Sequence, residues 1–193
     1  MDKRKQILEM ALKLFNGNGF QGTPTSAIAK EAGVATGTLF YHFKTKEELV
    51  ISLYVDIKQE INQLFDEAVG ESTDLEFIFK KALEITINWA ILNQDKFYYC
   101  QQVYFSPHIA QVPQEVIEEQ TKKYMELLQL AIDNKIIHSI SLELINNLLN
   151  SNIYVVSQYL SKNDISENAK AEIINRMVDM LWKFLEYKPI SNK

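Results

Sequence analysis

Between residues 25 and 48 the chain sets out Thr25, Ser26, Thr36, Gly37, Thr38, Tyr41, His42 and Lys46. These are hydroxyls, one imidazole, one ammonium, and a glycine where a backbone can come close. The chemistry they suit is non-covalent: hydrogen bonding to the edges of bases and to phosphate oxygens. Signatures of covalent chemistry are missing. There is no Gly-x-Ser-x-Gly elbow, no glycine-rich phosphate loop and no His-Glu-x-x-His. A di-iron bundle needs Glu three residues before His, whereas Leu39, Phe105 and Lys135 stand three before His42, His108 and His138. The chain is therefore expected to be no enzyme and to need no metal or cofactor. The single cysteine, Cys100, excludes an internal disulfide framework and a cysteine zinc site. In its aromatic setting it reads as a small apolar packing residue, with oxidant sensing as the alternative.

The elements that must position those groups are helices. Apolar residues recur at helical spacing almost throughout, and strand alternation is rare. The spacing predicts a first helix from about Lys3 to Asn16, with Ile7, Ala11, Leu14 and Phe15 inward and Gly17-Asn18-Gly19 ending it. Thr25 is expected to cap a short second helix carrying Ile28, Ala29 and Ala32. Gly33 suits the left-handed residue that would stop it. A third short helix covers Thr36 to Phe43. Two short helices that cross closely need a small residue at the crossing, which Ala29 supplies. Leu39 and Phe43 anchor the third helix, Val34 fills the space under the turn, and the outer face is left polar or small. Such a face fits a recognition helix in a major groove. Thr45, with Glu48 three residues on, reads as a capping box opening a long helix to about Gly70.

Charge follows the same division. The first 50 residues hold seven Lys/Arg and five Asp/Glu; the remainder hold thirteen and twenty. Five of the six glycines also fall in the first 50. A mildly basic head with tight turns thus precedes an acidic body of long helices. The body reads as helices after Thr73 and Asp95, from Glu115 to Asn134, from a Ser141 cap to about Leu160, and from a Ser166 cap to about Tyr187. Pro107 and Pro113 interrupt the chain after the second of these. No apolar run approaches the ~20 residues a membrane helix needs, and no apolar block follows the basic N-terminus as in a signal peptide. A cytoplasmic protein without a membrane partner is expected.

The run Thr25-Ser26-Ala27-Ile28-Ala29-Lys30-Glu31-Ala32-Gly33-Val34, continued by Ala35-Thr36-Gly37-Thr38-Leu39-Phe40-Tyr41-His42-Phe43-Lys44-Thr45-Lys46-Glu47-Glu48-Leu49, strongly resembles the TetR family of transcriptional repressors. Phe15-Asn16-Gly17-Asn18-Gly19-Phe20 fits the preceding helix of that family. The resemblance covers roughly the first 50 residues. It implies an all-α fold of about nine helices: a three-helix helix-turn-helix head, residues 1–48, fused through the long helix to a ligand-binding and dimerisation domain, residues 49–193. It also implies roles. Thr25 and Ser26 would bind a phosphate; Thr36, Gly37 and Thr38 would approach base edges. Tyr41 and His42 would touch phosphates or thymine methyls, Lys46 would pair with a phosphate, and Arg4 and Lys5 would add outer contacts. Many relatives carry Lys at the position of Thr36 and Tyr at that of Phe40. Their absence here implies modest affinity and a reader of few bases.

For the body the resemblance implies a homodimer formed through the last two helices, a palindromic double-stranded DNA operator and a small-molecule effector. Leu142, Ile145, Leu149, Ile153, Val156 and Leu160, widened by Leu144, Leu148 and Val155, make one broad stripe. Ile173, Met177, Met180, Leu181, Phe184 and Leu185 make another. Stripes this wide suit burial against both a core and a partner, with a purely intramolecular core as the alternative. The effector candidates are Trp89, Tyr98, Tyr99, Gln102, Tyr104, Phe105, Tyr124 and Tyr154, many of which packing alone would explain. They suit an apolar or aromatic ligand. A lipophilic cation would need Glu84 or Glu126 as counter-charge. His108 reads as a loop or pocket-mouth residue. A ligand that shifts the shared long helix would change the spacing of two recognition helices and lower DNA affinity. The rival to this regulator is a helical carrier of hydrophobic ligands whose head has lost DNA binding.

Overall fold

A computed structural model describes residues 2–105 and 113–188 of the chain. Among the described residues the elements are α1 (Lys3–Asn18), α2 (Thr25–Glu31), α3 (Thr36–His42), α4 (Lys46–Val69), α5 (Leu75–Leu92), α6 (Gln94–Phe105), α7 (Gln114–Asp133), α8 (Leu142–Lys162) and α9 (Glu167–Leu185). The fold is all-α, as the periodicity predicts. Two compact units share these helices. The first holds Met1–Glu60 and Asn93–Gln120, the second Ile61–Leu92 and Thr121–Lys193. Packing therefore groups α6 and the first part of α4 with the three short helices, whereas the division at residue 48 follows the sequence motif alone.

In the first unit α1 packs on α2, α3 and α6. Ile7, Ala11, Phe15, Ile28, Ala29, Leu39, Phe43, Leu49 and Tyr99 are buried. The Phe15 ring lies 5.2 Å from Phe20 and 6.2 Å from Tyr99, and Tyr99 meets Phe20 edge-on at 5.6 Å. The Tyr99 hydroxyl donates to the Val50 carbonyl at 2.9 Å, so the one polar atom of this core residue ties α6 to α4. Arg4 donates two hydrogen bonds to the Asp56 carboxylate, at 2.7 and 3.0 Å, joining the start of α1 to α4. Its guanidinium also lies over the Phe43 ring, 5.6 Å from the centroid.

The helix ends refine the sequence reading. Asp2 caps α1 by accepting from the Arg4 N–H at 3.0 Å. That helix runs through Gly17 and Asn18 and stops at Gly19, whose φ of +69° is open to glycine at no steric cost. Thr25 is not the cap of α2: Pro24 holds that position without a side-chain hydrogen bond, and Thr25 is the first helical residue. Gly33 adopts φ +64° just past α2, as expected. Thr45 accepts from the Glu48 N–H at 3.0 Å, while the Glu48 carboxylate accepts from the Lys44 N–H at 2.6 Å. The capping box is thus present, with its return bond one residue early. Gly22 is constrained by space. A Cβ there would lie 2.3 Å from the Asn18 carbonyl oxygen. Gly22→Ala should therefore lower stability by about 1–3 kcal/mol, read as a shift in denaturation midpoint. An unchanged midpoint would mean that the turn relaxes freely.

In the second unit α5 packs on α8 and α9, with Phe79 and Trp182 ring centroids 5.4 Å apart. Asp74 caps α5 by accepting from the Glu76 and Phe77 N–H groups. Ser166 caps α9, accepting from Ala169 at 3.4 Å. Beyond α9 the chain returns to the α7–α8 connection. His138 N–H donates to the Leu185 carbonyl at 2.7 Å and Tyr187 N–H to the Ile136 carbonyl at 2.8 Å, around an isolated bridge of Ile137 and Glu186.

Candidate nucleic-acid interface and effector site

The turn between α2 and α3 is held by the backbone. Val34 N–H donates to the Ala29 carbonyl at 3.0 Å, and Gly33 N–H to Lys30 at 3.1 Å. The crossing residue Ala29 is buried, and Leu39 and Phe43 are wholly inside. With one face of α3 committed to the core, the other is presented to solvent. Thr36, Gly37 and Tyr41 are exposed, and Thr38 and His42 half-exposed. Tyr41 is 76% exposed, so its ring and hydroxyl are open to contact from outside the chain. Its ring is met edge-on by His42, 5.3 Å away, and by the Lys44 ammonium 5.9 Å from its centroid. Ser26 is exposed and Thr25 half-exposed at the start of α2, and Lys46 is half-exposed at the start of α4. None of the eight residues predicted for nucleic-acid contact is buried, and together they offer hydroxyls, an imidazole and one ammonium.

Two placements differ from the sequence reading. Arg4 is engaged by Asp56 and Phe43, so its guanidinium holds α1 to α4 and is no free phosphate contact. Lys44 was not singled out, yet its ammonium stands over Tyr41 at the end of α3. Its signal was its place just beyond the end of α3.

The effector candidates fall in different surroundings. In the first unit Tyr99 is a core residue, Tyr98 is 45% exposed, and Tyr104 is half-buried. Gln102 donates to the Asn16 side chain at 3.2 Å, and Asn16 donates to the Asp95 carbonyl at 2.8 Å, so both serve the packing of α6 on α1. In the second unit Trp89 is buried and Tyr154 39% exposed. Tyr124, Phe79, Leu128, Ala131, Ile137 and Trp182 are among the residues around a cavity of about 20 Å³, room for one water molecule. The buried Tyr124 hydroxyl has no hydrogen-bond partner among the described residues. The Phe105 side chain and His108 lie outside the described residues.

The polar residues about α4 and α6 have a definite electrostatic pattern. Asp56 is taken by Arg4, and Glu60 by Lys96 at 2.5 Å. Lys58, between them, is half-buried and has no carboxylate partner among the described residues. Burial draws the Lys58 ammonium below its usual pKa, with Cys100 opposing the change. Burial likewise pushes the Cys100 thiol up to about 12, against the pull of Lys58, so at neutral pH it is a thiol and a poor nucleophile. The Tyr54 hydroxyl is raised by burial and then by its neighbours Cys100 and Tyr104. Gln101, next along α6, has a buried Oε1 without a donor. The counter-charges named for a cationic ligand are both engaged: Glu84 pairs with Lys81 at 3.0 Å and Glu126 lies 4.0 Å from Lys122. No group of His, Cys, Asp and Glu among the described residues could hold a metal ion. No described helix is long and apolar enough to cross a membrane.

Comparison with known proteins agrees with this geometry. Residues 7–53 match the model of bacterial regulatory proteins of the tetR family. A fatty acid metabolism regulator protein of Bacillus subtilis is 33% identical over 93 residues, 48% of this chain and 47% of that protein. The chain spans less than half the length of this relative and of two other Bacillus subtilis regulators it matches. A structure from Shewanella sp. PV-4, assigned to the tetR family of transcription regulators, superimposes with a TM-score of 0.85 at 28% identity, over 97% of this chain and 100% of the other. The transcriptional regulator FadR of Bacillus subtilis, solved in complex with stearoyl-CoA, shares the fold with a TM-score of 0.72 at 21% identity, over 94% and 99%. The head, with its two short crossed helices, thus matches the tetR family of bacterial regulatory proteins over residues 7–53, and the fold along the chain is that of a solved structure assigned to the same family.

Proposed function

We propose that the chain is a ligand-responsive transcriptional repressor that binds a palindromic operator as a homodimer and is released by a small, mostly apolar or aromatic effector. The observation that carries this reading is the outward face of α3. Thr36, Gly37, Thr38, Tyr41 and His42 are left free by a helix whose other side is wholly buried through Leu39. One short helix reads too few bases for specificity, and a two-fold pair reads two half-sites ~34 Å or more apart. Support for the pair comes from Leu144, Val155 and Tyr159 of α8 and Met180 and Phe184 of α9, all at least half exposed. So many large apolar groups at helical spacing on two neighbouring helices suit a partner's matching face. Support for an effector comes from the stearoyl-CoA held by FadR and from the aromatic residues of α5, α6 and α7. Helix α4 carries residues of both units, so a ligand that displaces it alters the half-site spacing. A coupling of ~1–3 kcal/mol, or ~5–150-fold, is enough to release DNA.

The test is selection of binding sites from random duplex DNA, followed by affinity measurement across salt concentrations. An enriched two-fold site is expected. With Lys44 and Lys46 as the phosphate-facing cations of each head, four phosphates are neutralised per dimer. At about 0.9 per phosphate, log affinity should fall against log salt with a slope near −4. A slope near −10 would contradict this reader of few contacts. Failure to enrich any site, even after unfolding, ligand removal and refolding, would favour the helical carrier.

A further inference from the structure

The acidic side chains nearest Lys58 along α4 already have cationic partners, and Lys58 has no anionic partner among the described residues. Asp56 receives both hydrogen bonds of the Arg4 fork, and Glu60 receives the Lys96 ammonium. The one titratable group that acts on Lys58 is the Cys100 thiol, which burial keeps neutral; the Tyr54 phenol in turn neighbours Cys100 and Tyr104. No Asp or Glu lies among residues 106–112 or 189–193, so no acidic side chain is left out of this account. A half-buried ammonium that the chain leaves without an anion is costly on its own and is relieved when an anion reaches it. The remaining unsatisfied atom nearby in sequence, the buried Gln101 Oε1, is an acceptor and offers Lys58's ligand no competing negative charge.

The geometry points to Lys58 as the anchor for a carboxylate carried on the apolar or aromatic body of the effector. This rests on reading the chain as an effector-binding regulator, and it deepens that reading by fixing the sign of the ligand's charge. One cation beside a neutral thiol matches a single negative charge. A phosphate of charge near −2 would call for a cluster of cations. A cationic effector is disfavoured at the same place by repulsion from Lys58. The ammonium would form a charge-assisted hydrogen bond with the carboxylate, and the body would lie against aromatic side chains.

The test uses the purified full chain with dodecanoate and 1-naphthoate, each beside its own methyl ester, and with dodecylammonium. Binding is measured by calorimetry below the concentrations at which these amphiphiles aggregate. At least one acid should bind about 10- to 100-fold more tightly than its ester, the range a charge-assisted hydrogen bond supplies. Dodecylammonium should bind more weakly than the ester of the same chain. Lys58→Met should erase the acid's advantage while the ester still binds, which also shows that the variant is folded. The same variant without ligand should melt at a higher temperature than the parent, because an unpaired ammonium has been replaced by an apolar chain of similar length. Equal binding of acids and esters by the parent, or an acid advantage that survives in Lys58→Met, overturns the anchor and leaves the apolar effector reading standing. A marked fall in melting temperature also counts against it, since Lys58 would then have a partner within the chain. If no probe of any charge binds, the effector reading falls together with the anchor.

Discussion

Phe43→Ala should remove most of the head's stability, by about 3–5 kcal/mol. The ring is 1% exposed, closes the C-terminal end of α3, and carries the Arg4 guanidinium 5.6 Å from its centroid. Truncation leaves a void where α3 meets the core and takes away the aromatic partner of the cation that ties α1 to α4. Against the ~5–15 kcal/mol of a whole domain, the loss is large enough to populate a molten head at moderate temperature. Chemical denaturation with a far-ultraviolet helix signal measures it, and DNA affinity should fall in step. A loss below about 1 kcal/mol would mean that neighbouring side chains fill the void and that α3 is held in place by other contacts.

The second large effect concerns assembly. If α8 and α9 form the proposed two-fold interface, Val155→Glu combined with Phe184→Glu should leave a monomer and reduce operator affinity to that of a single head. Both side chains are more than half exposed in the lone chain, at 63% and 58%, so the charges should cost the folded protomer little. In a two-fold interface each chain would bring two carboxylates into an apolar contact, four in all. Each costs several kcal/mol if desolvated without a partner. Sedimentation or light scattering reads the mass directly, and the unchanged melting of the protomer is the control. A double variant that stays dimeric would remove α8 and α9 from the interface.

What the sequence displayed and what it hid have separate physical causes. The crossed pair α2–α3 was legible because steric demands leave few residue types at each place: Ala29 at the crossing, Gly33 at φ +64°, Leu39 and Phe43 inside. The Thr45–Glu48 box was legible because capping is local. Thr25 was misplaced by one residue because threonine favours an N-cap, whereas Pro24 already has the extended backbone of that position. Lys58 was missed because it stands in Asp56-Ile57-Lys58-Gln59, which reads as a solvated face. Its partial burial is a product of the fold, and its want of an acid appears only once Arg4 and Lys96 are seen to hold Asp56 and Glu60. Tyr99 shows the reverse error. It stands in a run rich in aromatics that suggests a ligand wall, yet its ring is the keystone of a packed core.

The bonds that fix α1 also set an order of events for the newborn chain. Arg4 waits for a carboxylate 52 residues downstream, and Asn16 for groups 79 and 86 residues downstream. These are long loops to close, and so are the packings of α5 on α8 and α9. Helices α1 to α3 are made before α6 but find their last partners only after α6 exists. Residues 1–48 cut away from the rest would lack Asp56, Tyr99 and Gln102. The head is thus made before its supports, which gives the growing chain a helix-turn-helix unit that stays incomplete until the helices behind it exist.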